Sequence, residues 1–228
     1  MTKKRKKTII SSVAFVLLLT LSALGYWAWK YYILPDVEDM KGKDGLFIPA
    51  MPDRTEYESL EARAASAFEF ARGRNMSLKY ALFVDYGVPS GTPRLYVWDF
   101  LQNKIVARTY VMHGPGKGST AEKPVFSNKI GSNCSALGRF LVTKQHGSIN
   151  KTGYLLKGLD IDNQTAYVRG LMIHRSRFLD SNVWREYIPL NGRSCSGCVT
   201  VTSRGMEYIG KLVRSEDRPI LLWNYCSK

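Results

Sequence analysis

From Thr8 to Trp29 the chain carries no charged residue. At about 1.5 Å rise per residue those 22 positions span roughly 33 Å, enough for the hydrocarbon core of a bilayer. No polar face interrupts the run, which sets it apart from a buried core helix. Lys3, Lys4, Arg5, Lys6 and Lys7 lie just before it. The positive-inside rule keeps such a cluster cytoplasmic and sends everything after residue 30 to the outer side. Tyr26, Trp27, Trp29, Tyr31 and Tyr32 then form an interfacial aromatic belt. Ser22-Ala23-Leu24-Gly25 offers small residues for a signal-peptide cut. The run is longer than a usual signal core and continues into aromatics, so an uncleaved single-pass anchor is the expectation. Either reading places the remainder on the periplasmic or extracytoplasmic side of the cytoplasmic membrane.

The formal net charge of +14 on 228 residues invites a nucleic-acid reading. Six of the 33 basic residues, and none of the 19 acidic ones, lie within residues 1–30. Beyond them the basic residues are dispersed among acids, with no basic run interleaved with aromatics, so no nucleic-acid partner is expected. At 45% hydrophobic residues the chain builds an ordinary core.

Residues 1–32 read as basic tip and transmembrane helix. Residues 33–53, with Pro35, Pro49, Pro52, Gly42 and Gly45, read as a tether with little regular structure. Residues 54–77 lead into the domain as a helix: between about Thr55 and Arg74, Leu60, Ala64, Ala67, Phe68, Phe70 and Ala71 recur near helical spacing. Residues 78–228 form a mostly β domain with flanking helices. Tyr80–Tyr86, Arg94–Asp99 and Lys104–Met112 are predicted strands of an antiparallel meander. Gly138–Thr143, Tyr154–Leu159, Ala166–Ile173, Val199–Thr202 and Ile220–Tyr225 are the further strand candidates, and Arg204–Val213 has helix spacing.

The cysteines are Cys134, Cys195, Cys198 and Cys226, and the histidines His113, His146 and His174. Exported thiols that persist are paired, metal-bound or catalytic. Cys195-Ser196-Gly197-Cys198 is formally a CxxC, but the β-branched Val199–Thr202 run follows it where a redox motif needs a helix. A zinc site lacks a second close ligand pair, so no metal is expected, and thiol–imidazole chemistry needs no organic cofactor. A structural disulfide fits any function, and its pairing stays open. A Cys/His catalytic pair is the sharper reading, because an imidazole near a thiol takes its proton and returns it to a leaving amine. His174 ends a predicted strand, and Cys198 ends the Gly192–Gly197 loop just before the next. Gly197 allows close backbone approach, and the N–H groups of Gly197 and Cys198 are candidate oxyanion donors.

Val111-Met112-His113-Gly114-Pro115-Gly116, Phe126 to Ser132, Ser135-Ala136-Leu137-Gly138, Gly158-Leu159-Asp160, Arg169 to His174 and Gly192-Arg193-Ser194 through Gly197-Cys198 follow in order. The series resembles the murein L,D-transpeptidase catalytic-domain family, a relative of the YkuD-type transpeptidases. That resemblance implies a YkuD-like β-rich fold, an exported position and peptidoglycan stem peptides as partners. It also implies Cys198 as nucleophile, His174 as general base and acid, and backbone oxyanion donors at Gly197 and Cys198. Arg193 is expected to bind a stem carboxylate or to be a solvated loop arginine. Ser196 is expected to line the loop, and His113 either to line the cleft or to hold the framework. The expected activity is L,D-transpeptidation or L,D-carboxypeptidation through a thioester. Two residues, Cys195-Ser196, stand between Gly-Arg-Ser and Gly-Cys where the family usually has one. The rival readings are a sortase-like transpeptidase, whose Thr-Leu-x-Thr-Cys is unmatched here, and a non-catalytic anchored murein-binding scaffold.

Overall fold

The computed structural model describes residues 20–22, 46–47, 54–147, 153–192 and 195–227. The chain divides into two units, Met1–Lys43 and Asp44–Lys228. No helix among the described residues is long and apolar enough to cross a membrane. The predicted anchor lies outside the described residues except at residues 20–22, which are helical.

Helix α1 (Arg54–Arg72) buries Leu60, Ala64, Ala67 and Ala71, spaced by four, three and four residues along one face. It covers Ala81 and Phe83 of β2 (Tyr80–Asp85), Tyr96 and Trp98 of β3 (Leu95–Asp99), and Leu221 of the last strand. Successive strand residues point to opposite faces. Leu82 and Val84 therefore enter the main core while Ala81 and Phe83 face the helix, which is why β2 reads as a continuous apolar run. The meander β2, β3 and β4 (Lys104–Thr109) is antiparallel as predicted. The β3–β4 turn is held by Asp99 Oδ1, which accepts from the Leu101 and Gln102 amides.

The predicted strand Lys104–Met112 is divided. After β4 the buried Tyr110 intervenes, and β5 (Val111–Met112) pairs with a different neighbour. With β1 (Leu46–Phe47), β6 (Gly138–His146), β7 (Tyr154–Gly158), β8 (Met172–Arg175), β9 (Val199–Val201) and β10 (Ile220–Tyr225), the sheet order is β1-β4-β3-β2-β10-β6-β7-β8-β9-β5. β4 lies second in that order and β5 last, yet one residue joins them. The sheet must therefore curl around its core and bring its two ends together, in a barrel-like arrangement. Among the described strands, β2–β10 and β8–β9 pair in parallel and the other pairs are antiparallel. Leu46–Phe47, in the segment expected to be a tether without regular structure, adds antiparallel to the open edge of β4.

Two further segments differ from the sequence reading. Of the predicted strand Ala166–Ile173 only Met172 and Ile173 are β; the chain before them forms turns. Arg169 N–H bonds Thr165 O, Leu171 N–H bonds Ala166 O, and Gly170 adopts φ +67°. Those local bonds take the place of a sheet ladder. The short helix α2 (Arg177–Asp180) was not expected either. Helix α3 (Ser203–Ser215) starts where Thr202 Oγ1 accepts from the Gly205 amide at 3.1 Å, and it packs Met206, Ile209, Leu212 and Val213 into the main core.

Candidate active site

Strand β9 lies between β8 and β5, and its register sets the site. Ile173 pairs with Val199 and His174 with Thr200. Continued by one residue, the same register sets Cys198 opposite Met172. Cys198 stands one residue before β9 and two before Thr200, whose hydroxyl meets the His174 ring.

His174 Nδ1 lies 2.9 Å from Arg175 O. The carbonyl only accepts, so Nδ1 carries the proton and Nε2 presents its lone pair. Thr200 Oγ1 donates to Nε2 at 3.3 Å. Burial lowers the His174 pKa below the ordinary 6.5, and the Arg175 carbonyl partly opposes that. The resting ring is thus a neutral base with its tautomer fixed.

Cys198 is 9% exposed. Burial raises its pKa above the ordinary 9.0, against backbone hydrogen bonds from Met172 and Ser196 and the positive charge of Arg169. Thiol and imidazole therefore rest neutral. Cys195 is 2% exposed, with Sγ 3.2 Å from Cys198 O. Burial pushes its pKa up to about 12, while the Thr200 hydroxyl and the backbone of Gly197 and Cys198 hydrogen-bond the sulfur. The two amides expected to receive an oxyanion thus face a thiol in this structure. No disulfide joins any of the four cysteines, all of which are described.

Gly197 adopts φ +97°, a conformation that favours glycine, and a Cβ there would lie 2.3 Å from Cys134 O. Gly114 is equally confined, since its Cβ would sit 2.7 Å from Gly197 Cα and 2.2 Å from Asn133 O. The glycines of the His113-Gly114 and Gly197-Cys198 motifs therefore pack backbone on backbone. Ser196 is exposed, with its hydroxyl 3.3 Å from Gly192 O. Arg193 lies outside the described residues.

His113 is 1% exposed and belongs to the framework rather than to a cleft wall. Arg94 Nη2 donates to its Nδ1 at 3.1 Å, and its Nε2 donates to Thr120 O at 2.8 Å. Burial first, and then the Arg94 charge, lower its pKa to about 4. The Phe126-Ser127-Asn128 segment also has structural partners: Asn128 Oδ1 accepts from the Thr165 amide at 3.0 Å, and its Nδ2 donates to Ile161 O at 3.0 Å.

The sequence reading passed over Thr200 and Arg169. Thr200 was legible as the residue two beyond Cys198, in the strand that follows it. Arg169 was hidden in a predicted strand, where Gly170 was the sole sign of a turn. Among the described residues no group of three His, Cys, Asp or Glu side chains forms a metal-ligand set. A 630 Å³ groove, lined by Leu141, Gln145, Lys157 and Tyr167 among others, contains neither Cys198 nor His174.

The β-rich sheet carries His174 on β8, and Cys198 stands just ahead of the parallel strand β9, the thiol and imidazole of a candidate catalytic domain. The model of the L,D-transpeptidase catalytic domain, YkuD type, matches residues 53–222, and the chain belongs to that family. No curated protein matches the chain.

Proposed function

We propose that the protein is a cysteine-dependent L,D-transpeptidase acting on peptidoglycan stem peptides, with Cys198 as nucleophile and His174 as base. The observation that supports the reading is the β8–β9 register: His174 pairs with Thr200, two residues beyond Cys198. Family membership supports the reaction class.

In this reading Thr200 Oγ1 gives up its hydrogen bond to His174 Nε2, and the Cys198 S–H proton passes to that nitrogen as sulfur bonds to the carbonyl carbon at the L-centre of a diamino acid. The tetrahedral intermediate collapses, the bond to the terminal D-Ala nitrogen breaks, and His174 returns the proton to the departing amine. The thioester then reacts with the side-chain amine of a neighbouring stem. The amine's proton goes to His174 and on to the released Cys198 sulfur, leaving a 3–3 cross-link. Water in place of the amine gives L,D-carboxypeptidation. The hydrogen bond from Nδ1 to Arg175 O supports the imidazolium formed in each half-reaction. Ser196 and Arg193 belong to the substrate side of the loop, Arg193 as a stem-carboxylate ligand. The Thr8–Trp29 segment anchors the domain in the cytoplasmic membrane, facing the wall.

One observation favours a second reading, an anchored murein-binding scaffold: the Gly197 and Cys198 amides are engaged by Cys195. Incubation with a carbapenem-type acylating agent separates the two. Intact mass and peptide mapping are expected to show one adduct, on Cys198; a folded protein that stays unmodified contradicts the enzymatic reading.

A further inference from the structure

Arg169 lies in the turn that leads into β8, and its guanidinium reaches across to the Ser127–Cys134 segment. Nη1 donates to Ser127 O at 2.7 Å, and Nη2 donates to Cys134 O and, at 3.3 Å, to Ser132 Oγ. All three acceptors are neutral. No carboxylate among the described residues pairs with it, whereas Arg139, also partly buried, is matched by Asp160.

The position of this cation is as telling as its partners. A Cβ on Gly197 would lie 3.0 Å from Arg169 Nη2, so the guanidinium rests against the residue that precedes Cys198. Burial lowers the Arg169 pKa, and the groups that restore it are the thiols of Cys134 and Cys198. A half-buried cation held on neutral dipoles is poorly compensated. An anion can arise beside it when Cys198 loses its proton. The amides of Gly197 and Cys198, the other candidates for this task, are turned to Cys195.

We propose that Arg169 is a positioning residue for the nucleophile: it clamps the Ser127–Cys134 segment onto Gly197 and supplies the positive field that stabilises negative charge on Cys198 Sγ. Its catalytic consequence rests on the reading of Cys198 as nucleophile, but its electrostatic content does not.

The test is alkylation of Cys198 by iodoacetamide as a function of pH, read by peptide mass mapping on the full chain, for the wild type, Arg169→Gln and Arg169→Lys. Glutamine keeps an amide donor for the Ser127 and Cys134 carbonyls while removing the charge, and lysine keeps the charge without the fork. Thermal unfolding establishes that each variant is folded. Arg169→Gln is expected to raise the midpoint by about one pH unit, so that alkylation at a fixed pH below it slows about tenfold. Arg169→Lys is expected to hold the midpoint near the wild-type value, although both variants lower thermal stability. A folded Arg169→Gln with an unchanged midpoint, or equal shifts in both variants, overturns the proposal. The readout needs no substrate, so a shift seen in a protein that forms no acyl adduct retains the Arg169 field and removes the functional reading instead.

Discussion

His174 Nε2 accepts from Thr200 Oγ1 at 3.3 Å across the parallel β8–β9 pair, while Nδ1 is committed to Arg175 O. The two contacts fix the plane of the His174 ring, and Thr200 is fully buried. Thr200→Val removes the hydroxyl at nearly constant volume. Loss of one orienting hydrogen bond of about 1.4 kcal/mol lowers turnover about tenfold, and Thr200→Ser restores most of it. Steady-state rates on a stem tetrapeptide check this, and equal rates in wild type and Thr200→Val contradict it.

The resting site is neutral on both sides, and its pH behaviour follows. The His174 pKa is lowered, so the base stays unprotonated through neutral pH and is lost only below 6.5. The Cys198 pKa is raised, so free thiolate accumulates only above pH 9. Alkylation of the resting thiol is therefore expected to climb above pH 9, while substrate acylation is already near its plateau at neutral pH. Parallel pH profiles of the two rates, both rising above pH 9, would show that the thiol must ionise first and that His174 does not act as base.

His113 links the site's framework to acid stability. Its folded pKa of about 4 is below the ordinary 6.5, so below pH 6.5 the unfolded chain binds the proton more readily. Stability contributed by the buried neutral ring is complete above pH 6.5 and is lost as pH falls toward 4, by about 3 kcal/mol. Chemical denaturation at stepped pH measures this slope. His113→Gln is expected to be less stable at pH 7 and to lack this part of the slope.

Gly197 is the tightest constraint on the nucleophile loop. Gly197→Ala puts a Cβ 2.3 Å from Cys134 O, a backbone atom, at φ +97°. The expected cost is about 2 kcal/mol or more, with displacement of Cys198. A melting temperature equal to wild type would show that the loop relaxes freely.

Much of this fold was legible because alternation and helix spacing survive tertiary context. The meander of β2, β3 and β4 and the helices α1 and α3 follow their apolar periodicities to within a few residues. What escaped depends on neighbours distant in sequence. Ala166–Ile173 alternates like a strand, yet Thr165, Ala166 and Asn128 fold the part before Met172 into turns that bring Arg169 against Gly197. Lys104–Met112 reads as one strand, and only the closing of the sheet divides it at Tyr110. Within the site, Cys198 and His174 were visible from residue type and order. The turning of the Gly197 and Cys198 amides toward Cys195 was not, because loop geometry leaves no periodic trace.

The central claim is that Cys198 carries the acyl group of a stem peptide. Purified sacculi incubated with the wild-type protein, digested with muramidase and analysed by mass spectrometry, test it most directly. Wild type is expected to yield 3–3 cross-linked muropeptides or tetrapeptides trimmed to tripeptides, and Cys198→Ala neither. Equal product from wild type and a folded Cys198→Ala would contradict the account.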